Sequence, residues 1–457
     1  MNWSDLLNPS RRRRTTSTGD DRAQFERDFD RSVFSTPVKR LQDKAQVFPL
    51  EPHDAVRTRL THSLEVSCVA RGLATSASKW LIKEGEISQG ADRSIEAIAQ
   101  TCGLIHDLGN PPFGHSGEDA IRSWFSREER EKQLRQSLDS EQQIRDFLNF
   151  EGNAQSLRLV ATLQVLADRS GLNLTFGTLS ALAKYVVPSD QADGDSKNRA
   201  RRKPGYFASE NDIVEEIRNA TGTGAARHPI CFLVEAADDI TYLAADIEDA
   251  VKKGVLSWGA IHEQLKSKGD SVQAALSRQE NILKAGRPEV PAVLDDDIRA
   301  AAFRTGAIAE MVEAVVATFA KRYQEVMNGT YEGNLLDESE AAELAACLRT
   351  IGQTRVYPTR STLTLELMGR HVIADLMDVF WEGAKVLPIE GEPKTSKFAG
   401  KAAALISPNY RRIFQEFAAE KNGLPEIYHR FQLVTDYICG MTDSFATRLH
   451  SDLFNGS

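Results

Sequence analysis

Apolar residues recur at helical spacing in two long stretches of this chain. Between residues 93 and 108, Ile98, Cys102 and Ile105 follow one another at steps of four and three, which is the period of one helix face. A longer stripe with the same alternating steps runs through Leu233, Ala237, Ile240, Ala244, Ile247 and Val251. Beyond these stretches, helical runs alternate with short breaks, and no strand-like alternation stands out. The pattern predicts helices over residues 93–108 and 229–251.

The face opposite the second stripe is acidic. It carries Glu235, Asp238, Tyr242, Asp246 and Asp249. Such a face is usually solvated, but this helix begins with a near-continuous apolar run over residues 230–234, and a tyrosine lies within the acidic face. We therefore interpret it as a buried helix whose acidic face borders a polar cavity. A carboxylate from this face could complete a metal-binding set.

The 93–108 helix leads into a short polar turn. His106 and Asp107 are adjacent at its predicted end, and Gly109 with the Pro111-Pro112 pair then breaks the helix. An imidazole beside a carboxylate suits a divalent ion better than a site built from thiolates. The turn is therefore a candidate metal site.

A second pair of ionisable residues follows the turn. His115 and Glu118 are three residues apart, so they share a face if this stretch is helical. A carboxylate that orients an imidazole is a general acid/base arrangement; the alternative is a capping interaction at a helix start. His62 lies in the first turn of another predicted helix, opened by Thr58 or Thr61. A lone histidine is more often structural than a metal ligand.

Basic residues cluster in two polar segments. The loop over residues 187–210 carries Lys197, Arg199, Arg201, Arg202 and Lys203, and Lys184 and Tyr185 lie just before it. Such residues suit a polyphosphate, or they form a solvated charge run. Residues 1–22, with four consecutive arginines at 11–14, predict a flexible basic tail, with a nucleic-acid or nucleotide contact as the alternative.

Composition narrows the class of protein. The chain has 457 residues, 41% hydrophobic and 26% charged, and a net charge of −9, which argues against a global nucleic-acid footprint. Its five cysteines are scattered singly, so a disulfide framework and a zinc thiolate site are not expected. There is neither a long apolar run nor a signal-peptide pattern at the start. We expect a cytoplasmic protein without membrane spans.

Five sequence blocks together resemble one family. The order His62, His106-Asp107, Asp238 is similar to the H…HD…D pattern of the HD superfamily of metal-dependent phosphohydrolases, and within it to the dGTPase-like deoxynucleoside triphosphate triphosphohydrolases. The blocks are RTRLTHSLEV at 57–66, GLIHDLGNPPFGHSGE at 103–118, FEGNAQSLR at 150–158, EAADDITY at 235–242 and GMTDSFA at 440–446. The resemblance implies an all-α fold, with an HD-type catalytic core over 23–260 and a helical C-terminal region over 261–457 packed on it.

The resemblance also implies residue roles. His62, His106, Asp107 and Asp238 would hold one divalent ion, and such a set accepts Mn²⁺, Mg²⁺ or Co²⁺. His115 and Glu118 match the family's catalytic pair. The expected substrate contacts are Arg59, Lys184, Tyr185 and Lys203 for phosphates, Tyr242 and Asp246 near the sugar, and Gln46 near the 3′-hydroxyl.

The implied activity is hydrolysis of a dNTP, with dGTP a leading candidate, to the deoxynucleoside and inorganic triphosphate. The family further implies a homo-oligomer, for which a hexamer is plausible, and a nucleotide or single-stranded DNA effector. Two alternatives stay open. One is an HD enzyme of another substrate class, such as a nucleotidase or cyclic-nucleotide phosphodiesterase. The other is a non-catalytic nucleotide or nucleic-acid binder.

Overall fold

The computed structural model describes residues 1–14, 21–47, 56–164, 170–285, 295–420 and 423–454. This part of the chain is predominantly helical, which confirms the all-α prediction. The α-helices are α1 (Trp3–Leu6), α2 (Gln24–Val33), α3 (Thr36–Arg40), α4 (Arg59–Lys83), α5 (Ala91–Ile105), α6 (Gly114–Phe125), α7 (Glu128–Ser137), α8 (Glu141–Leu148), α9 (Gly152–Arg158), α10 (Phe176–Leu182), α11 (Asn211–Thr221), α12 (Pro229–Lys252), α13 (Trp258–Leu265), α14 (Asp270–Ala285), α15 (Asp295–Met327), α16 (Ala342–Ile351), α17 (Arg360–Val386), α18 (Phe398–Leu405), α19 (Pro408–Ala419), α20 (Glu426–Cys439) and α21 (Asp443–Phe454).

Two very short strands interrupt the basic stretch at 187–210. β1 (Val187–Pro188) and β2 (Pro204–Tyr206) pair in parallel, with Val187 opposite Pro204 and Pro188 opposite Tyr206. The segment between them is therefore anchored at both ends rather than being a loop throughout. None of the helices in the described ranges combines the length and apolar character needed to cross a membrane.

Local signals explain where the three central helices begin and end. Thr58 caps α4 by accepting a hydrogen bond from the Thr61 N–H. Pro229 is the first residue of α12, the position at which proline costs no hydrogen bond. The predicted 93–108 helix is α5, which ends at Ile105, so that His106 and Asp107 lie just beyond it. The helix predicted over 229–251 is confirmed as α12.

The central helix α12 packs against α4, α5 and α15. All but four of its residues are buried, and its apolar stripe contributes to one large core that also contains Phe303 and Phe319 of α15. A second core joins α6 to the C-terminal helices α17 and α20, where the rings of Trp381 and Phe431 stack with centroids 4.3 Å apart. Helices on both sides of residue 260 thus share cores, and the domain boundary placed there stays a prediction.

The first fourteen residues correct the expected flexible tail. Trp3 donates its indole N–H to the Tyr323 hydroxyl at 2.9 Å, and Arg11, only 8% exposed, forms an ion pair with the fully buried Asp28. The Arg11 guanidinium also donates to the carbonyl oxygen of Asn173. A buried guanidinium needs such partners, so at least part of the arginine run is structural. Residues 15–20 of the predicted tail lie outside the described residues.

The buried ion pair predicts the effect of Arg11→Ala. The substitution leaves the Asp28 carboxylate buried without its cation, so we expect a loss of about 3 kcal/mol of unfolding free energy, measured by urea denaturation. Arg22→Ala removes a partner of Asp30 in an exposed ion pair and should cost less than about 1 kcal/mol. Equal, small losses for both variants would show that residues 1–14 do not pack as described.

Candidate metal centre and active site

Most residues singled out from the sequence line one cavity of about 580 Å³. The predicted residues on its wall are Gln46, Arg59, His106, Asp107, His115, Glu118, Lys184, Tyr185, Lys203, Asp238 and Tyr242. His62 is fully buried behind this wall but contacts Asp238. Asp246 alone among the predicted site residues neither lines the cavity nor touches a predicted metal ligand.

The four proposed metal ligands converge from three elements. His62 lies in the first turn of α4, His106 and Asp107 follow the end of α5, and Asp238 lies in the middle of α12. Asp238 Oδ1 is 3.2 Å from His62 Nε2 and 3.4 Å from His106 Nε2. Candidate ligand atoms of His62, His106 and Asp107 all lie within 4.8 Å of one another, a spacing that one ion can bridge.

The hydrogen bonds of His106 fit a metal ligand. Its Nδ1 lies 2.8 Å from the carbonyl oxygen of Gly103, so Nδ1 carries a proton and donates it, and Nε2 is the nitrogen that can bind a metal once the ring is neutral. This buried Nε2 makes no hydrogen bond within the described residues. It lies 3.4 Å from Asp238 Oδ1 and 3.5 Å from Asp107 Oδ2, distances that are long for a hydrogen bond, and a cation between Nε2 and these carboxylates would give it a direct partner. The donor set of two imidazoles and two carboxylates suits a divalent ion.

The charges around these ligands favour a cation. Burial lowers the pKa of His106, but the charges of Asp107 and Asp238 outweigh it and raise this pKa to about 9. Burial raises the pKa of Asp107, but Arg59 and His106 overcome it and lower this pKa to about 2. Arg59 forms an ion pair with Asp107, so the arginine predicted to bind phosphate also touches a metal ligand.

His115 and Glu118 form the expected pair at the start of α6. His115 Nδ1 lies 3.1 Å from Glu118 Oε2, and the other Glu118 oxygen accepts the Gly152 N–H at 2.8 Å. Glu118 is buried, whereas the His115 side chain is 89% exposed, so its Nε2 stays accessible in the open cavity. The hydrogen bond to Glu118 raises the pKa of His115. The pair can hold and deliver a proton.

A close approach of three segments fixes Glu118. A Cβ added at Gly152 would lie 2.2 Å from Asn110 Oδ1 and 2.6 Å from Glu118 Oε1. Only glycine therefore lets the start of α9 reach both the turn after Asp107 and the glutamate. The Asn110 amide in turn donates to Asp107 Oδ1 at 2.8 Å, which connects the proposed metal and acid/base groups.

The two lysines of the cavity, Lys184 and Lys203, lie among carboxylates. Lys184 Nζ is 3.9 Å from Glu235 Oε1 and 4.0 Å from Asp238 Oδ2. Lys203 Nζ is 3.0 Å from Glu151 Oε2 and 5.9 Å from the centre of the Tyr185 ring. Burial lowers the pKa of Lys203, but the neighbouring carboxylates outweigh it and raise this pKa. Both lysines are therefore cationic at neutral pH.

Of the basic residues in the 187–210 loop, Lys203 is the one that lines the cavity. Arg199, for example, forms an ion pair with Asp337 at 3.0 Å. Arg199 therefore takes part in an ion pair outside the cavity and does not line a phosphate site. Lys203 immediately precedes β2, whose pairing with β1 anchors this end of the segment.

Tyr357 is a cavity residue that the sequence analysis missed. Its hydroxyl donates to Asp246 Oδ2 at 2.7 Å, and its ring stacks near Tyr242 with centroids 6.0 Å apart and planes at 25°. Burial raises the pKa of Asp246. Asp246, which was predicted to lie near the sugar, does not line the cavity and is connected to it by the hydrogen bond from Tyr357. The sequence offered no signal for Tyr357 beyond the break at Tyr357-Pro358.

Comparison with known proteins agrees with this geometry. The profile of the HD domain family matches residues 59–170, which include His62, His106 and Asp107 but not Asp238. The chain is 36% identical to a deoxyguanosinetriphosphate triphosphohydrolase-like protein of Listeria monocytogenes, over 99% of both chains. It is 32% identical to a Synechocystis protein of the same description over 99% of both chains. It is 30% identical to a deoxyguanosinetriphosphate triphosphohydrolase of Yersinia enterocolitica over 92% of both chains.

The proposed ligand set predicts one divalent ion per chain, and Mn²⁺ is the probe that tests it. Because His106 must lose its proton to bind an ion, the apparent affinity should tighten as pH rises from 7 toward 9, with proton release on binding. His106→Ala and Asp238→Asn should each weaken binding by about 100-fold or more, measured by titration calorimetry.

The matched control is His371→Ala, which removes an exposed histidine of α17 that does not line the cavity. Its affinity should equal that of the unchanged protein. Wild-type affinity in His106→Ala would refute the proposed ligand set.

Proposed function

The chain belongs to the family of dGTPase-like HD-domain proteins, and we propose that it hydrolyses deoxynucleoside triphosphates to the deoxynucleoside and inorganic triphosphate in a metal-dependent reaction. dGTP is the leading candidate substrate. One observation carries the proposal: three of the four proposed metal ligands, a His–Glu pair and two lysines line one cavity of about 580 Å³. That volume is typical of a small-molecule site.

The lysines supply the charge that a triphosphate requires. A dNTP brings about four negative charges, and the acidic wall around Asp238 would repel them. Lys184 and Lys203 are cationic, and both line the cavity beside their carboxylate partners. Their amines can therefore turn toward phosphate oxygens bound in the cavity. Arg59 adds a planar guanidinium beside Asp107, suited to bidentate phosphate contacts.

The reaction would place the acid/base pair beside the leaving group. A divalent ion bound by the four ligands would supply Lewis acidity to an α-phosphate oxygen and to the attacking water. Attack at the α-phosphorus breaks its bond to the 5′-oxygen of the sugar. His115 donates a proton to that oxygen, which leaves as the 5′-hydroxyl. Glu118 keeps the imidazole oriented and stabilises its charged form.

The tyrosine pair provides a wall for the sugar. Tyr242 and Tyr357 present nearly parallel rings, and the Asp246 carboxylate holds the Tyr357 hydroxyl. Tight packing against the 2′ carbon would exclude a ribose hydroxyl.

Gln46 lines the cavity, and its buried Oε1 makes no hydrogen bond within the described residues. It can accept a hydrogen bond from the 3′-hydroxyl. The oligomer and effector expectations stay predictions of the resemblance.

Product analysis tests the reaction. Incubation with each of the four dNTPs and Mn²⁺, Mg²⁺ or Co²⁺, with and without mixed nucleotides, should yield deoxynucleoside and triphosphate by ³¹P NMR. In H₂¹⁸O the label should appear in the triphosphate, because water attacks phosphorus and not the sugar carbon. Pyrophosphate with a nucleoside monophosphate would instead indicate another HD chemistry, and binding without turnover a non-catalytic protein.

His115→Ala tests the division of roles across the turn. Losing the general acid should lower kcat by about 10²–10⁴-fold, while Mn²⁺ affinity stays unchanged because His115 is outside the ligand set. His450→Ala, which removes a histidine paired with Asp375, is the matched control and should keep full turnover. Loss of the metal in His115→Ala would assign His115 to the ligands instead.

A further inference from the structure

The C-terminal block GMTDSFA lies outside the proposed chemistry, yet one of its residues contacts two walls of the cavity. Asp443 is the first residue of α21 and is 1% exposed. Its Oδ1 accepts the Phe113 N–H at 3.0 Å, and its Oδ2 accepts the Ala45 N–H at 3.0 Å. Each oxygen of this buried carboxylate thus holds the backbone of a different segment.

The first of these segments carries the acid/base pair. Phe113 precedes α6 and has φ of +62°, the left-handed region that is unfavourable for a bulky residue. A Cβ added at Gly369 of α17 would lie 2.5 Å from Phe113 Cγ, so the ring is packed closely against that helix. Contacts from the C-terminal region therefore hold a strained residue just two positions before His115.

The second segment carries Gln46 and reaches the metal side. Ala45 forms an isolated antiparallel bridge with Thr58, and the Arg59 N–H donates to the Lys44 carbonyl at 2.9 Å. Thr58 caps the helix that carries Arg59 and His62. A displacement of Ala45 would therefore reach both the Gln46 side chain and the start of α4.

Two further side chains join the same parts of the fold. The buried Lys44 amine donates to the carbonyl oxygens of Asn110 at 2.6 Å and Cys439 at 2.7 Å. The Ser444 hydroxyl donates to Asp43 Oδ1 at 2.7 Å. The segment at 43–45, the turn before α6 and the start of α21 are thus connected by several bonds, and Asp443 is the residue of α21 that bonds to both cavity segments.

We propose that Asp443 is a positioning residue that sets the place of His115 relative to the metal side of the cavity, by fixing Phe113 and Ala45 with one carboxylate. The inference rests on the proposed function in so far as His115 acts as the proton donor. It assigns a role to the C-terminal helix α21, which supplies no side chain to the cavity wall.

Asp443→Asn is the direct test. Asparagine offers one acceptor oxygen, and its NH₂ group cannot accept, so one of the two N–H groups loses its partner. A small displacement of His115 should lower kcat about 10- to 100-fold, with Mn²⁺ affinity within about threefold of the unchanged protein. Ser444→Ala, the matched control one residue along α21, removes the bond to Asp43 alone and should keep kcat within about twofold.

A double-mutant cycle separates positioning from general destabilisation. If Asp443 acts through His115, Asp443→Asn should cause no further loss of kcat in the His115→Ala background, because coupled residues are not additive. A loss of equal size in both backgrounds would overturn the inference. If Asp443→Asn does not fold, Gly369→Ala, which pushes on Phe113 from the other side, takes its place in the same cycle with the same expectation.

A measurement without turnover keeps the inference distinct from the proposed function. In metal-free protein labelled with ¹³C-histidine, the His115 signal is assigned by its absence in His115→Ala. Asp443→Asn should shift or broaden this signal and leave that of His450 unchanged. An unchanged His115 signal would overturn the positioning role. A shifted signal would support it even if no dNTP proved to be a substrate.

Discussion

The position of the Asp238 carboxylate is the constraint on which the site depends. It lies in the middle of α12, among residues that are almost all buried, and its Oδ1 is within 3.4 Å of two histidine rings. Its own side chain is 26% exposed at the cavity wall, and its partners come from the first turn of α4 and the residues that follow α5. The packing of α12 against both helices is therefore also what assembles the ligand set.

The turn after Asp107 lies between the proposed metal ligands and the proposed acid/base pair, and its contacts also connect the two groups. Asn110 donates to Asp107, and the start of α9 approaches both Asn110 and Glu118 too closely for any side chain at position 152. A shift of the proposed metal ligand Asp107 would therefore reach the proposed acid/base pair through the Asn110 side chain and the backbone at Gly152. Such rigidity keeps reacting groups in register.

Local sequence predicted the parts of the site that depend on nearby residues. The helical period, the proline at the start of α12 and the break at Gly109 are short-range signals, and α5 and α12 follow the predicted bounds to within three residues. Family resemblance, not periodicity, assigned His62 and Lys203 to the site, since a lone histidine and a charge run each have ordinary structural explanations. The cavity contains both Lys203 and the proposed ligands Asp107 and Asp238.

Long-range contacts account for what was missed. Tyr357 is 111 residues from Asp246, and Asp443 is 330 residues from Phe113, so no local pattern could pair them. The same reason explains why the packing of the N-terminal residues was not predicted, since Arg11 donates to the Asn173 carbonyl 162 residues away. Charge alone suggested solvent exposure for this arginine, whereas its place in the fold gives it buried partners.

The carboxylates of the cavity and the proposed triphosphate substrate are both negatively charged, so cations must lie between them. Lys184 Nζ lies 3.9–4.0 Å from two carboxylates. These distances allow electrostatic attraction but are longer than a hydrogen bond. The attraction between Lys184 and these carboxylates is therefore electrostatic, so its amine can move to a phosphate oxygen without breaking a hydrogen bond to either of them. A cation bound at His62, His106, Asp107 and Asp238 would at the same time offset the carboxylates that Lys184 leaves. Metal binding and phosphate binding are therefore expected to support each other in this site.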